Sequence, residues 1–547
     1  MRVLLLYPRF PASFWSFEGT LALAGRKAML PPLGLITVAA LLPADWEFVL
    51  VDRNVCDVTD EQWAWADMVM LSAMIVQKAD LLEQIREAKR RGRVVVVGGP
   101  YPTALPDECR AAGTDFLVLD EGEVTIPMFL AALDRGETGG TFRSGGVKPD
   151  VTATPIPRFD LLDLDSYMEM PVQFSRGCPF LCEFCDIIVL YGRRPRTKTP
   201  RQMLAELEKL YELGWRRSVF IVDDNFIGNK RNVRALLEEL RPWMEARGYP
   251  FSFATEASVD LAQDQPLMDA MVACNFGAVF LGIETPDTES LVLTRKTQNN
   301  RGSLVDAVTR IARSGLRVMA GFIIGFDNEK PGAGQRIVEF VERTSIPTAV
   351  FSMLQALPDT ALFHRLKRDG RLLEGGDGDI NQTTLMNFVP TRPMSQIANE
   401  FVEGFWRLYE PEKFLNRVLC HYMLLRNSPR PRAAGSARRR MSWRNFKALL
   451  TLSWRQGVLR GTRWQFWGQL LRVLRLHRRG VGSYLSTCAQ AEHFLVYRQA
   501  VREQIAAQLR AYETARRADP QPSPPDSEPT APAPVPLRVL SSPMATA

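Results

Sequence analysis

The sequence predicts an α/β protein with an N-terminal doubly wound, Rossmann-like domain, a central partial (β/α)6 barrel of the TIM type and a helical C-terminal extension. Three observations carry this. Short apolar runs alternate with helix-like stretches over residues 1–145, and the same alternation restarts near residue 170 and runs through six units. From residue 387 onward the strand signal gives way to helical periodicity.

In the first domain, strands are expected at Val3–Tyr7, Phe48–Val51, Met68–Ser72, Val94–Val97 and Phe116–Leu119. Gly34–Leu42 and Leu81–Arg90 between them have helical spacing. Residues 136–165 are rich in Gly, Pro and Thr and read as a linker, drawn at 146–169 in the division into domains. The barrel, 170–386, has candidate strands Val172–Ser175, Val219–Asp223, Ser252–Ala257, Ala278–Ile283, Arg317–Ile324 and Thr348–Leu354. Gln202–Leu213 and Val233–Ala246 have the 3.6-residue period of covering helices. In such a barrel the chemistry belongs at the C-terminal strand ends. Residues 387–517 form a basic helical domain, and the Pro-, Ser- and Ala-rich 518–547 are expected to be a disordered tail.

The bulk numbers narrow the class. Hydrophobic residues are 46% and charged residues 24% of 547, an ordinary globular balance with room for several cores. The apolar run Val3–Tyr7 is too short for a signal-peptide core, and Met29–Pro43 is broken by Pro31-Pro32. A cytoplasmic protein is expected, with peripheral membrane contact as an addition. Eight cysteines in such a length do not read as a secreted disulfide framework. The four histidines are His364, His421, His477 and His493, so the first 363 residues have none.

Three cysteines fall in one loop, Ser175-Arg-Gly-Cys178-Pro-Phe-Leu-Cys182-Glu-Phe-Cys185. This CxxxCxxC spacing places three thiolates around one [4Fe–4S] cubane and leaves the fourth iron open to a substrate group. Zinc is the competing reading, but a structural zinc normally takes four protein ligands, and no histidine or fourth cysteine is near in sequence.

This loop, just after a strand and opening a βα series, resembles the radical S-adenosylmethionine superfamily over roughly residues 170–390. The resemblance implies that S-adenosylmethionine binds the open iron, and that one-electron reduction yields a 5′-deoxyadenosyl radical. It implies an external electron donor, flavodoxin or ferredoxin. It also assigns cofactor contacts to later strand ends: Asp223 and Asp224 in Val222-Asp-Asp-Asn-Phe226, where the family often has a Gly-Gly-Glu-type turn, then Glu256, then Gly282 and Glu284. Gly321 and Gly325 in Gly321-Phe-Ile-Ile-Gly325 resemble the fifth-strand motif that packs on adenine, and Leu357-Pro-Asp-Thr-Ala-Leu362 follows the sixth strand.

In the first domain the C-terminal strand edges carry Asp52, Ser72, Gly98-Gly99-Pro100 and Glu121-Gly-Glu123. A doubly wound sheet binds its ligand at that edge. By themselves these residues suit cobalamin, flavin or no ligand. In front of a radical domain, the arrangement resembles the cobalamin-dependent class, which implies cobalamin along Ser72, Gly98, Gly99 and Glu123. Without a histidine to ligate cobalt, the cofactor is expected base-off and His-off.

From Lys413 to Ala491 there are 17 Lys or Arg and no Asp or Glu, interleaved with Trp443, Trp454, Trp464 and Trp467. This composition suits an anionic membrane surface, nucleic acid or solvated faces of packed helices, and membrane association through 413–491 is favoured over nucleic acid. Within the cobalamin-dependent class, the length and helical extension look most like the hopanoid methylases, whose substrates are lipid-like. The expected function is therefore methylation of an unactivated carbon in a lipid-like or other small molecule. Rival readings are a radical cyclase or rearrangement enzyme with the same cofactors, a radical tRNA-modifying enzyme, and a non-enzymatic cobalamin or redox sensor.

Overall fold

A computed structural model of the chain describes residues 1–300, 302–373, 381–426, 428 and 443–518. The expected tail, 518–547, lies outside the described residues except for its first position. The N-terminal sheet has strands β1 (Arg2–Tyr7), β2 (Glu47–Asp52), β3 (Met68–Ser72), β4 (Val94–Gly98), β5 (Phe116–Val118) and β6 (Gly140–Phe142). All are parallel, in the order β2-β1-β3-β4-β5-β6. Val3 to Leu6 and Val95 to Val97 are buried because helices cover both faces, which is why these strands read as unbroken apolar runs. Separate cores lie on the two faces, one with Leu4, Leu71 and Ile85, the other with Leu5, Met70 and Phe129. Strand order reverses between β1 and β3, so the crevice at this switch point opens beside Ser72.

Two sequence expectations are corrected here. The Gly/Pro/Thr-rich stretch is not all linker, because Gly140–Phe142 adds a sixth strand to the sheet edge, with Phe142 packed against Phe129. Residues 14–28 also leave the first domain. Phe14, Phe17 and Leu21 join the core of the barrel and C-terminal helices, and Phe14 stacks on Phe494 at 4.8 Å.

The barrel consists of six parallel strands in consecutive order: Met170–Val172, Ser218–Ile221, Ser252–Ala257, Phe276–Glu284, Arg317–Ile324 and Thr348–Met353. Its first strand ends at Val172, not Ser175. Ser175–Arg176 instead pairs antiparallel with Arg196–Thr197, a small hairpin that brackets the cysteine loop. Covering helices are set by their caps. Thr199 accepts from the Gln202 N–H and Gln202 bonds back in a capping box, with Pro200 at the first helical position. Helices Met394–Leu408, Pro411–Leu425 and Ala491–Ala518 share the barrel core, the first packing on Thr348–Met353, the second on the Leu304–Ser314 helix and the third on the first. Among the described residues no helix is long and apolar enough to cross a membrane.

Candidate active site

The backbone of the cysteine loop is fixed by close contacts and hydrogen bonds within the protein. Gly177 has φ +92°, and a Cβ there would meet the Gly192 carbonyl oxygen at 2.8 Å and that of Arg194 at 3.0 Å. Only glycine fits. The Cys178 N–H donates to the Gly192 carbonyl at 3.3 Å, and the Cys185 N–H to the Cys182 carbonyl at 3.2 Å. Glu183, between the thiols, is held three ways: its N–H by the Thr294 carbonyl (3.2 Å), its carbonyl by the Leu362 N–H (2.9 Å) and its carboxylate by Arg365 (2.9 Å).

Around the thiols the environment is polar and cationic. Gln298 Nε2 lies 3.8 Å from Cys182 Sγ, while its Oε1 is buried with no partner among the described residues. The Lys296 ammonium is paired with Glu284 and acts electrostatically on Cys182 and Cys185. Burial pushes the Cys178 and Cys185 thiols up, so an electropositive neighbour and metal ligation are needed to hold them as thiolates. Among the described residues no three metal-binding side chains converge on one ion. A cubane needs something else, three thiolates each on a different iron, and the loop supplies that donor set.

The strand ends divide into committed and open carboxyls. Asp223 is fully buried, accepts from the Phe174 N–H (2.8 Å) and Ser175 Oγ (2.6 Å), and so props the hairpin rather than facing a ligand. Asp224 Oδ2 is buried without a partner among the described residues, and burial, then Asp223 and Asp186, raise this carboxyl to about 7. Glu256 is pushed to about 8 by burial, then by Asp224, Glu284 and Asp223. Glu284 sits at φ +64° in an irregular strand end, and a Cβ on Gly282 would meet its Oε1 at 2.5 Å. Crowded carboxyls beside a thiol loop are matched to a cationic ligand, and S-adenosylmethionine brings both an ammonium and a sulfonium. Gly325 (φ +99°) donates its N–H to Glu329 Oε2 at 2.9 Å in the turn after the fifth strand. Gly321 leaves room for Phe280, whose ring a Cβ there would meet at 3.0 Å.

In the first domain Ser72 and Gly99 come together, since a Cβ on Gly99 (φ +95°) would meet Ser72 Oγ at 2.5 Å. Gly98 is required by the Val118 carbonyl, 2.6 Å from where its Cβ would stand. These contacts make a smooth wall at the switch point, which fits a flat cofactor tail. Glu123 does not line it. Its carboxylate takes Arg176 at 2.8 and 2.9 Å and Thr154 Oγ1 at 2.6 Å. Glu121 takes Arg176 and both terminal nitrogens of Arg196 at 2.9–3.0 Å. This part-buried four-residue clamp, together with Tyr167 donating to Asp52 at 3.1 Å, turns the carboxyl edge of the sheet toward the cysteine hairpin. Burial raises Glu123, but the bond and charge of Arg176 outweigh it and hold the carboxyl at about 2, against an ordinary 4.5. A depressed carboxyl stabilises the fold above its unfolded value. The clamp should therefore contribute about 3 kcal/mol at neutral pH, lost as pH falls from about 4.5 to 2. Acid titration of the Glu123→Gln variant, compared with the parent, should lack that part of the transition.

Sequence reading did not find Arg176, Arg196, Lys296, Gln298 or Arg365, nor the aromatic pair Trp15–Phe280, whose rings meet edge-on at 5.6 Å.

Comparison with known proteins agrees with this geometry. The chain matches the B12 binding domain over residues 19–130, the Radical SAM superfamily over 172–341 and a domain of unknown function, DUF4070, over 360–507. It is 60% identical to an uncharacterized methyltransferase of Synechocystis sp. over 95% of this chain and 96% of that protein. It is 34% identical to the hopanoid C-2 methylase of Rhodopseudomonas palustris, over 91% and 93%. The chain belongs to the cobalamin-dependent radical S-adenosylmethionine methyltransferases. Among solved structures, the cobalamin-dependent radical enzyme OxsB shares the fold at 16% identity, TM-score 0.57, over 93% of this chain and 80% of that one. The methyltransferase TsrM of Kitasatospora setae does so at 15% and 0.53, over 68% and 77%. Like others of its family, this methyltransferase uses a [4Fe–4S] cluster, S-adenosylmethionine and cobalamin. Its cobalamin domain has no histidine to offer cobalt.

Proposed function

We propose that this enzyme methylates an unactivated carbon of a lipid-like small molecule, with Cys178, Cys182 and Cys185 holding the cluster and Ser72, Gly98 and Gly99 lining the cobalamin tail. The observation that carries the reading is the clamp of Glu121 and Glu123 on Arg176 and Arg196. It sets the cobalamin edge against the segment that enters Cys178. When bound, the cluster supplies the electron that makes a carbon radical from S-adenosylmethionine, and cobalamin carries the methyl group.

The residues do the rest. Asp224, Glu256 and Glu284 hold the charged groups of S-adenosylmethionine, and Gly282, Gly321 and Gly325 keep side chains out of its way. Asp223 and Arg365 fix the hairpin and loop from behind. Trp15, 41% exposed against Phe280, offers an apolar wall that suits a hydrocarbon substrate and keeps water from the radical. The 34% identity to a hopanoid C-2 methylase supports the same substrate class. An external flavodoxin or ferredoxin supplies electrons.

Asp224→Asn and Glu256→Gln should each weaken S-adenosylmethionine binding by about 10- to 100-fold, the worth of one charge-assisted hydrogen bond. Equilibrium binding to the reconstituted protein checks this. For the substrate, the reduced enzyme and methyl-labelled S-adenosylmethionine are incubated with an extract of cells lacking the gene. Label in the solvent-extractable apolar fraction is expected. Label confined to RNA or to water-soluble products would overturn the substrate class.

A further inference from the structure

We infer that the helices Trp443–Trp454 and Arg463–Leu476 form a docking face for an anionic lipid bilayer. Eleven of the 23 exposed large apolar side chains among the described residues lie between Trp443 and Leu476, far more than scattered surface positions would place there. They follow helical spacing. Trp443, Phe446, Leu450 and Trp454 share one face of the first helix, and Trp464, Trp467, Leu471 and Leu474 one face of the second. The opposite faces, with Leu452, Phe466, Leu470 and Val473, are buried, so both helices are anchored to the body while their apolar faces stay outside. Trp467 Nε1 donates to the Gly457 carbonyl at 2.9 Å and ties the second helix to the turn after the first.

Charge selects the occupant. Exposed Arg444, Lys447, Arg463, Arg472 and Arg475 border the two apolar faces, and no acidic residue occurs from 413 to 491. A second copy would bring the same arginines against themselves in a two-fold contact. Nucleic acid would use the tryptophans for stacking, but leaves Leu450, Leu459, Leu471 and Leu474 without a partner. An anionic bilayer satisfies both sets, with basic groups at the headgroups and Trp and Leu at the acyl boundary. The first helix also packs on the Glu18–Ala24 helix, just after Trp15, so the face adjoins the apolar wall at the barrel. This inference adds a partner to the proposed function and stands apart from it, because vesicle binding is measured without turnover.

The test uses the full chain and vesicles of phosphatidylcholine alone or mixed with phosphatidylglycerol. Binding should require the anionic lipid and fall, but not vanish, as salt rises. Arg444→Gln with Arg472→Gln and Arg475→Gln should lower partitioning at least tenfold, given roughly fivefold per basic group near such a surface. Trp443→Ser with Trp464→Ser and Leu471→Ser should abolish the salt-resistant part. All six positions are exposed, and unchanged iron loading and circular dichroism show that the variants fold. The inference fails if anionic vesicles are not bound or if both variants bind like the parent. It also fails if the face proves to hold RNA instead, or a dimer that the variants dissolve.

Discussion

Replacing any one of Cys178, Cys182 and Cys185 by alanine will remove the cluster and all cleavage of S-adenosylmethionine. On the proposed assignment each thiolate would hold a different iron, so losing one leaves the cubane short of a ligand on a loop whose backbone is held at Gly177 and Glu183. Anaerobically reconstituted parent should carry about four irons per chain and form 5′-deoxyadenosine on reduction. Each variant should carry almost none and form none. Cys274→Ala is the control. Cys274 is buried and donates to the Leu237 carbonyl at 3.4 Å, so its loss should cost about 1 kcal/mol of stability and no iron. Full iron loading in Cys182→Ala would show that the cluster sits elsewhere.

The second large effect is expected at Arg176. Among the described residues its guanidinium is the only group that bonds both Glu121 and Glu123, and all three side chains are at most 12% exposed. Arg176→Ala strands Glu123 without its ion-pair partner in a buried site, a change that costs about 3–5 kcal/mol. The loss should show as a lower urea midpoint and as faster proteolysis between the two sheet domains. Arg176→Lys keeps the charge but not the fork, and should recover only part of the loss. Stability within about 0.5 kcal/mol of the parent would mean that the clamp does not hold the domains together.

How much of this was legible depended on how local the cause is. Met68–Ser72 is buried along most of its length and reads as an apolar run, and Ser252–Ala257 and Arg317–Ile324 bury at least alternate residues, so all three have the bounds expected of them. Gly140–Phe142 was missed because a three-residue edge strand among glycines leaves almost no pattern. The strand expected through Ser175 stops at Val172 because Asp223 captures the Phe174 N–H and the Ser175 hydroxyl. The cysteine loop is legible because its chemistry is confined to eleven consecutive residues, Ser175 to Cys185. Glu183 and Arg365, 182 positions apart, could not be paired without the fold. Glu123 misled for the same reason. A strand-end carboxylate looks like a ligand until Arg176 is seen to occupy it. Trp15, in the first domain's sequence, reaches Phe280 only because residues 14–28 cross to the barrel.

The central claim is that one chain couples radical formation at the cysteine loop to methyl transfer through cobalamin. The most direct measurement uses reduced, cobalamin-loaded protein and S-adenosylmethionine labelled on its methyl group, without added substrate. Label recovered with the protein-bound cobalamin, together with 5′-deoxyadenosine that disappears in Cys182→Ala, is the predicted result. Formation of 5′-deoxyadenosine with no label ever reaching cobalamin would contradict methyl transfer and point to a cyclase or rearrangement enzyme.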